Sequence, residues 1–236
     1  MGYLENVIAM NHKYELLREI LCLNIIKTLY FNLRYFPLKT ALHLPVFIYR
    51  NVELSMMKGK IEILSYLKFG MVKVGKPEMY SFDRKNNITK WKNEGTLIIH
   101  GNIVFGRGCG IRIGKGATLD IGENSSLTGH SDIACFKKIT IGKDCLISWD
   151  VLIMDTDFHH ITDNNGMTLN ELKPIVIGDH VWIGCRCTIL KGAIIHADNV
   201  IAAGTIVTRD IKDTKSVIGG VGGKLAVIKE DVSWKI

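Results

Sequence analysis

Proline is scarce in these 236 residues, with four in all, and aromatic residues make up only 8%. With 47% apolar and 22% charged residues, the composition excludes a disordered or fibrous chain. No window of about 18 residues is apolar and free of charge, which argues against a spanning helix. The best window, Leu21 to Phe36, is interrupted by Lys27 and Arg34. The opening MGYLENVIAM lacks a basic stretch followed by an apolar one, and Asn6 stands where a myristoylation signal needs Ser or Thr. These absences lead to the expectation of a cytoplasmic chain. The six cysteines (22, 109, 135, 145, 185 and 187) show no zinc-type pairing of C-x-x-C units, so they read as small buried thiols and no metal is expected. Basic clusters interleaved with aromatics are also missing, as are helix-turn-helix and RNA-motif signatures, which argues against nucleic acid. The net charge of +7 suits an acidic partner, a phosphorylated cofactor and an anionic lipid surface equally well, and charge alone does not choose between them.

A six-residue repeat is present instead. From Ile177 the chain divides as IGDHVW, IGCRCT, ILKGAI, IHADNV, IAAGTI and VTRDI, with Ile177, Ile183, Ile189, Ile195, Ile201 and Val207 leading. The fifth positions, Val181, Cys187, Ala193, Asn199, Thr205 and Ile211, are mostly small or β-branched. Ile141, Ile147 and Ile153 lead an earlier block, and Ile121, Leu127 and Ile133 continue it upstream less perfectly. Helices repeat near 3.6 and half-buried strands near 2, so period six fits neither. It fits short strands joined by corners into a parallel β-helix, three units to a coil of about 18 residues. Glycines such as Gly142, Gly178, Gly184 and Gly204 are expected to ease the corners.

The fold class expected is all-β, with an N-terminal helical segment. Residues 1–50 form that segment, with an amphipathic helix over Asn11 to Phe36. Residues 51–211 form the β-helix, beginning irregularly, and 212–236 a tail with a strand-like LAVIKEDV. The segment is expected either to cap the unpaired first edge of the coil or to touch a membrane surface. Through residue 60 it carries eight Lys and Arg against four Glu.

The repeat breaks between Ile153 and Ile177, which are 24 residues apart where a full coil takes 18. The polar stretch MDTDFHHITDNNGMTLNELKP leaves the coil there as a loop, over 154–176. Loops on a rigid scaffold are where chemistry is commonly placed. This one holds Asp155 and Asp157 immediately before His159 and His160, and a histidine oriented by an acid is a candidate general base.

IGDHVWIGCRCTILKGAIIHADNVIAAGTIVTRDI resembles the hexapeptide-repeat acyltransferases, left-handed β-helices that include galactoside, maltose and serine O-acetyltransferases. ISWDVLIMDTDFHHI is most similar to the branch associated with capsule and lipopolysaccharide biosynthesis. The resemblance is strong over about residues 95 to 212. It implies a left-handed coil, where a right-handed crossover would otherwise be the default. It also implies an acetyl-CoA-dependent O-acetyltransferase, with His159 as catalytic base and Asp155 or Asp157 orienting it. Trp182, Gly184 and Cys185 match the segment bordering the pantetheine arm, and Ala203, Gly204, Thr208 and Arg209 the later coil that meets coenzyme A. The galactoside branch has an asparagine about 30 residues before its histidine; here the chain reads Leu127-Thr128-Gly129-His130. Further implications are a homotrimer, a sugar or glycan acceptor, and direct attack on the thioester without an acyl-enzyme on Cys185 or Cys187. The alternatives are an N-acetyltransferase on a nucleotide-linked amino sugar, a metal-dependent hydratase on the same coil, and a non-enzymatic scaffold.

Overall fold

The computed structural model describes residues 19–77, 87–221 and 224–235. The strands wind into a coil with three faces, one of nine strands and two of seven. The first face runs from Val46–Ile48 to Val217–Val221 and Lys224–Lys229, the second from Val52–Met57 to Ile206–Val207, the third from Lys60–Ile63 to Asp210–Ile211. Every pairing between successive coils is parallel; only the closing pair, Val217–Val221 with Lys224–Lys229, is antiparallel. The leading residues stack in register: Ile147 on Ile183 on Ile201, and Ile153 on Ile189 on Val207. All of them are buried, as are the fifth-position residues Val181, Cys187, Ala193, Asn199 and Thr205. Each ladder removes a column of aliphatic side chains from water, at about 2 kcal/mol per residue.

The coil extends beyond 51–211 in both directions, starting at Val46 and carrying a further first-face strand to Val221. From Trp91 the upstream coils run to 20–22 residues, as in Ile99 on Ile121 and Leu127 on Ile147, against 18 for Ile183 on Ile201. The added residues sit in the corners, which is why the sequence period blurs there.

Corner chemistry also differs from expectation. Left-handed backbone is borne by Asn124, Asp144, His180 and Asp198 along one corner, with φ of 53° to 63°. Asn and Asp tolerate that region best among residues with a side chain. Of the four glycines named above, only Gly204 has positive φ. Gly178 and Gly184 are there for close approach: a Cβ on either would lie 2.7 Å from a backbone nitrogen of the next coil.

The expected single helix is broken. Residues 11–17 of that expectation lie outside the described residues, as does 18. Residues 19–22 are helical, Leu23 bridges to Tyr49, and Asn24 caps a new helix, α1, Ile25–Tyr35. A short turn of helix, α2, follows at Leu38–Ala41. The inward face of α1 combines the buried ring of Phe31 with two polar side chains, Thr28 and Asn32. The Asn32 amide donates to the Val46 carbonyl at 2.7 Å and accepts from the Val46 N–H at 3.2 Å. The Ile48 N–H donates to the Thr28 hydroxyl at 3.0 Å. These groups replace a neighbouring strand, so the first edge is capped by side chains of α1. Asn32→Ala leaves a buried donor and acceptor of Val46 unpaired. We expect a loss of about 2 kcal/mol, read as a fall of roughly 4–8 °C in the thermal unfolding midpoint.

Candidate active site

The chain leaves the second face after Leu152–Met154 and rejoins the third at Ile175–Ile177. Ile153 and Ile177 therefore head successive six-residue units. The excursion adds a full coil's worth of chain: Ile147 stacks on Ile183, 36 residues on, against 18 for the next pair. The loop is a small folded unit, with a Thr162–Thr168 bridge and a turn in which Asp163 accepts from the N–H groups of Asn165 and Met167.

Asp155 does not face solvent. Its carboxylate is wholly buried and accepts from three backbone N–H groups of the coil below, Phe136 at 2.6 Å and Lys137 and Lys138 at 2.8 Å. Burial, followed by the nearby charge of Asp155, pushes the Cys135 thiol up to about 12. Asp157 is exposed and accepts from Lys191 Nζ at 2.5 Å and Asn170 Nδ2 at 2.7 Å. The Lys191 hydrogen bond holds its carboxyl below the usual range. Each carboxylate thus already has partners of its own, and among the described residues neither hydrogen-bonds the His159 ring; the orienting role is not formed within the single chain.

His159 is positioned through the backbone. Phe158, just before it, has φ 59° and places its ring edge-on to Phe136 at 5.1 Å. The Arg112 guanidinium covers both rings, at 4.9 and 5.2 Å. On the other side Asn170 Nδ2 donates to the His159 carbonyl at 2.8 Å, and the Ile161 N–H donates to Asn170 Oδ1 at 2.7 Å. His159 and His160 are both exposed. Asn170, Lys191 and Arg112 were missed in the sequence. Register supplies the one signal for two of them: Leu190 stacks on Met154, Met154 on Ala134 and Ala134 on Arg112, so Lys191 lies over the corner of Asp155 and Arg112 lies two coils beneath that corner.

The residues matched to coenzyme A fall at two corners. Gly184, Cys185, Ala203 and Gly204 lie between the first and second faces, with Trp182 on the adjoining first-face strand. Thr208 and Arg209 lie between the second and third faces, at the corner from which the loop departs. About 13 Å of extended chain separates Gly204 from Thr208. Within one chain the loop is near only the second group. The indole of Trp182 donates to Ser148 Oγ at 3.1 Å, and Arg209 donates to the Leu225 carbonyl at 3.3 Å on the rim of a cleft of about 240 Å³.

Cys187 points inward and burial raises its thiol above the ordinary value, which leaves it a poor nucleophile. His130, in the stretch where the galactoside branch has its asparagine, meets Asn87 through Nε2 at 2.5 Å and has Asp150 at 3.9 Å. His180 and His196 each pair with a carboxylate of the following coil, Asp198 and Asp210. Among the described residues no three His, Cys, Asp or Glu side chains are grouped to hold a metal ion.

A family described as bacterial transferase hexapeptide (six repeats) matches residues 174–209. The chain is 32% identical over 122 residues to a polysialic acid O-acetyltransferase of Escherichia coli O1:K1, which spans 51% of this chain but only 39% of that one. It is 30% identical over 146 residues to a protein of Escherichia coli K12 named for lipopolysaccharide-biosynthesis O-acetyl transfer, covering 57% of this chain and 72% of that one. The crystal structure of a polySia-specific acetyltransferase superposes with a TM-score of 0.54 over 78% of this chain and 88% of that one, at 24% identity. That likeness shows the fold and with it the left hand of the coil. A buried six-residue repeat, a loop expelled at one corner and a relative matched over most of its length converge, and the chain belongs to the hexapeptide-repeat acyltransferase family.

Proposed function

We propose that the protein transfers an acetyl group from acetyl-CoA to a sugar hydroxyl in surface-polysaccharide biosynthesis. The observation that carries this reading is the expelled loop, folded and pinned at both sides of His159 by Phe158 and Asn170. In the proposed reaction His159 takes the hydroxyl proton as the oxygen attacks the thioester carbonyl. Collapse breaks the carbon–sulfur bond, releases the thiolate and leaves an ester; the imidazolium returns its proton to the thiolate. The names of the two relatives, O-acetyl transfer to polysialic acid and in lipopolysaccharide biosynthesis, favour oxygen over nitrogen as the acceptor.

Trp182, Gly184, Cys185, Ala203, Gly204, Thr208 and Arg209 are the residues proposed to hold the donor. A Cβ on Gly204 would meet nothing within 4 Å, so this corner is open to a ligand. Because the donor residues occupy two corners, we infer a homotrimer in which the first corner of one subunit faces the loop of the next. We place the enzyme in the cytoplasm, where acetyl-CoA is made. No helix among the described residues is long and apolar enough to cross a membrane.

Thiol release from acetyl-CoA against a panel of sugars, sugar nucleotides and lipid-linked glycans tests the reaction. A product ester cleaved by hydroxylamine is expected. An amide product would move the assignment to an amine acceptor, and failure to bind acetyl-CoA would overturn it. Light scattering is expected to give three times the chain mass of 26.4 kDa. A stable monomer would remove the shared site.

A further inference from the structure

The outward face of α1 is apolar, while its inward side carries Thr28 and Asn32 beside the fully buried ring of Phe31. At 100° per residue, Ile25, Leu29, Leu33, Ile26 and Tyr30 fall within an arc of about 140°. Their exposure runs from 44% to 81%, while Thr28, Phe31 and Asn32, outside that arc, are buried against the first strands. An ordinary surface helix carries polar groups on its outer face. Here Thr28 and Asn32 satisfy the strand edge from inside, beside Phe31, and Ile25, Ile26, Leu29 and Leu33 stay outside. Ile20 and Leu21 before α1 and Leu38 and Leu42 after it are also exposed, so the apolar character continues along this end of the coil.

Charge identifies the occupant. No charged residue lies within the apolar arc; Lys27 and Arg34 flank it on one side. Over residues 19–69 there are seven Lys and Arg, three Glu and no Asp, and Arg34, Lys39, Arg50, Lys58, Lys60 and Lys68 are exposed. Two copies of this segment brought together would set a net +4 against a net +4. An anionic surface would neutralise it. At 11 residues, about 16 Å long, α1 is too short to span a bilayer but suited to lie in its interface.

We propose that this end of the coil docks on an anionic lipid bilayer, with Ile26, Leu29 and Leu33 entering the headgroup boundary and the surrounding cations facing lipid phosphates. The docking is independent of acyl transfer, because α1 shares no residue with the loop or the donor corners.

Flotation of the full chain with vesicles tests it. We expect co-migration with phosphatidylcholine vesicles containing phosphatidylglycerol at low salt, and weak binding to phosphatidylcholine alone. Binding should fall as the ionic strength rises toward about 0.5 M. Ile26→Asp with Leu33→Asp should cut the bound fraction at least about tenfold, since both side chains are exposed and nothing in the fold rests on them. Arg34→Glu with Lys39→Glu should do so too, and carries the test if the first pair fails to fold. Turnover on a soluble acceptor should stay unchanged in both, which separates this proposal from the acyl-transfer reading. No co-migration at low salt would overturn it, as would undiminished binding by the variants. So would a fall in oligomeric mass on Ile26→Asp with Leu33→Asp, which would give the face to a second copy.

Discussion

His159→Ala is expected to lower kcat by 10² to 10⁴, about 3–5 kcal/mol in barrier, the usual cost of losing a general base. His160→Ala is expected to change it by less than about tenfold. The family resemblance places the base directly after Asp157-Phe158, which selects His159. The structure distinguishes them further. The residue before His159 is locked in the left-handed region by its packing on Phe136 and Arg112, and the His159 carbonyl is held by Asn170. Both constraints act on the His159 backbone, and no such contact holds His160 among the described residues. Affinity for coenzyme A should be kept in both variants, because the proposed donor contacts lie on other coils. Equilibrium binding of coenzyme A beside steady-state kinetics separates these effects. The reverse ranking would move the base by one residue, and full activity in both would remove the loop from the chemistry.

What could be read in the sequence depended on how local its physical cause was. The six-residue repeat from Ile177 to Val207 was legible because each unit repeats the same demand, one aliphatic side chain turned inward, at fixed spacing. Upstream, coils of 20–22 residues carry the same ladders, but extra corner residues shift the period and hide them. The orientation of α1 could not be read, since Thr28 and Asn32 sit inside, beside Phe31, to satisfy the bare backbone at the core's edge. The loop was visible as an interruption, and its histidines as chemistry. Its anchors were not, because Arg112, Asn170 and Lys191 reach it only through the stacking of coils. The same holds for glycine. Gly178 and Gly184 look like turn residues in the sequence, and only the packed coil shows that a Cβ has no room there.

Asp155 carries the other large effect, and it falls on stability. A carboxylate next to a catalytic histidine in sequence invites an orienting role, yet its two oxygens already accept from Phe136, Lys137 and Lys138. Three consecutive N–H groups converging on one buried anion form a corner clamp. The chain turns from the second to the third face there, leaving those donors without strand partners, and the loop departs directly above. Asp155→Ala deletes the acceptor for all three. Hydrogen bonds to charged groups contribute about 1.5–3 kcal/mol each and do not add fully, so a loss of about 4 kcal/mol is expected. For a chain of this size that corresponds to a fall of about 8–16 °C in the unfolding midpoint. Asp155→Asn should recover only part of it, because the amide NH₂ must face at least one donor. At temperatures where the variants stay folded, kcat should fall by less than in His159→Ala, since the histidine loses no hydrogen bond that it has in the chain. Calorimetry and kinetics on the same samples decide the matter. A variant of unchanged stability with kcat lost as in His159→Ala would return Asp155 to the role of orienting the base.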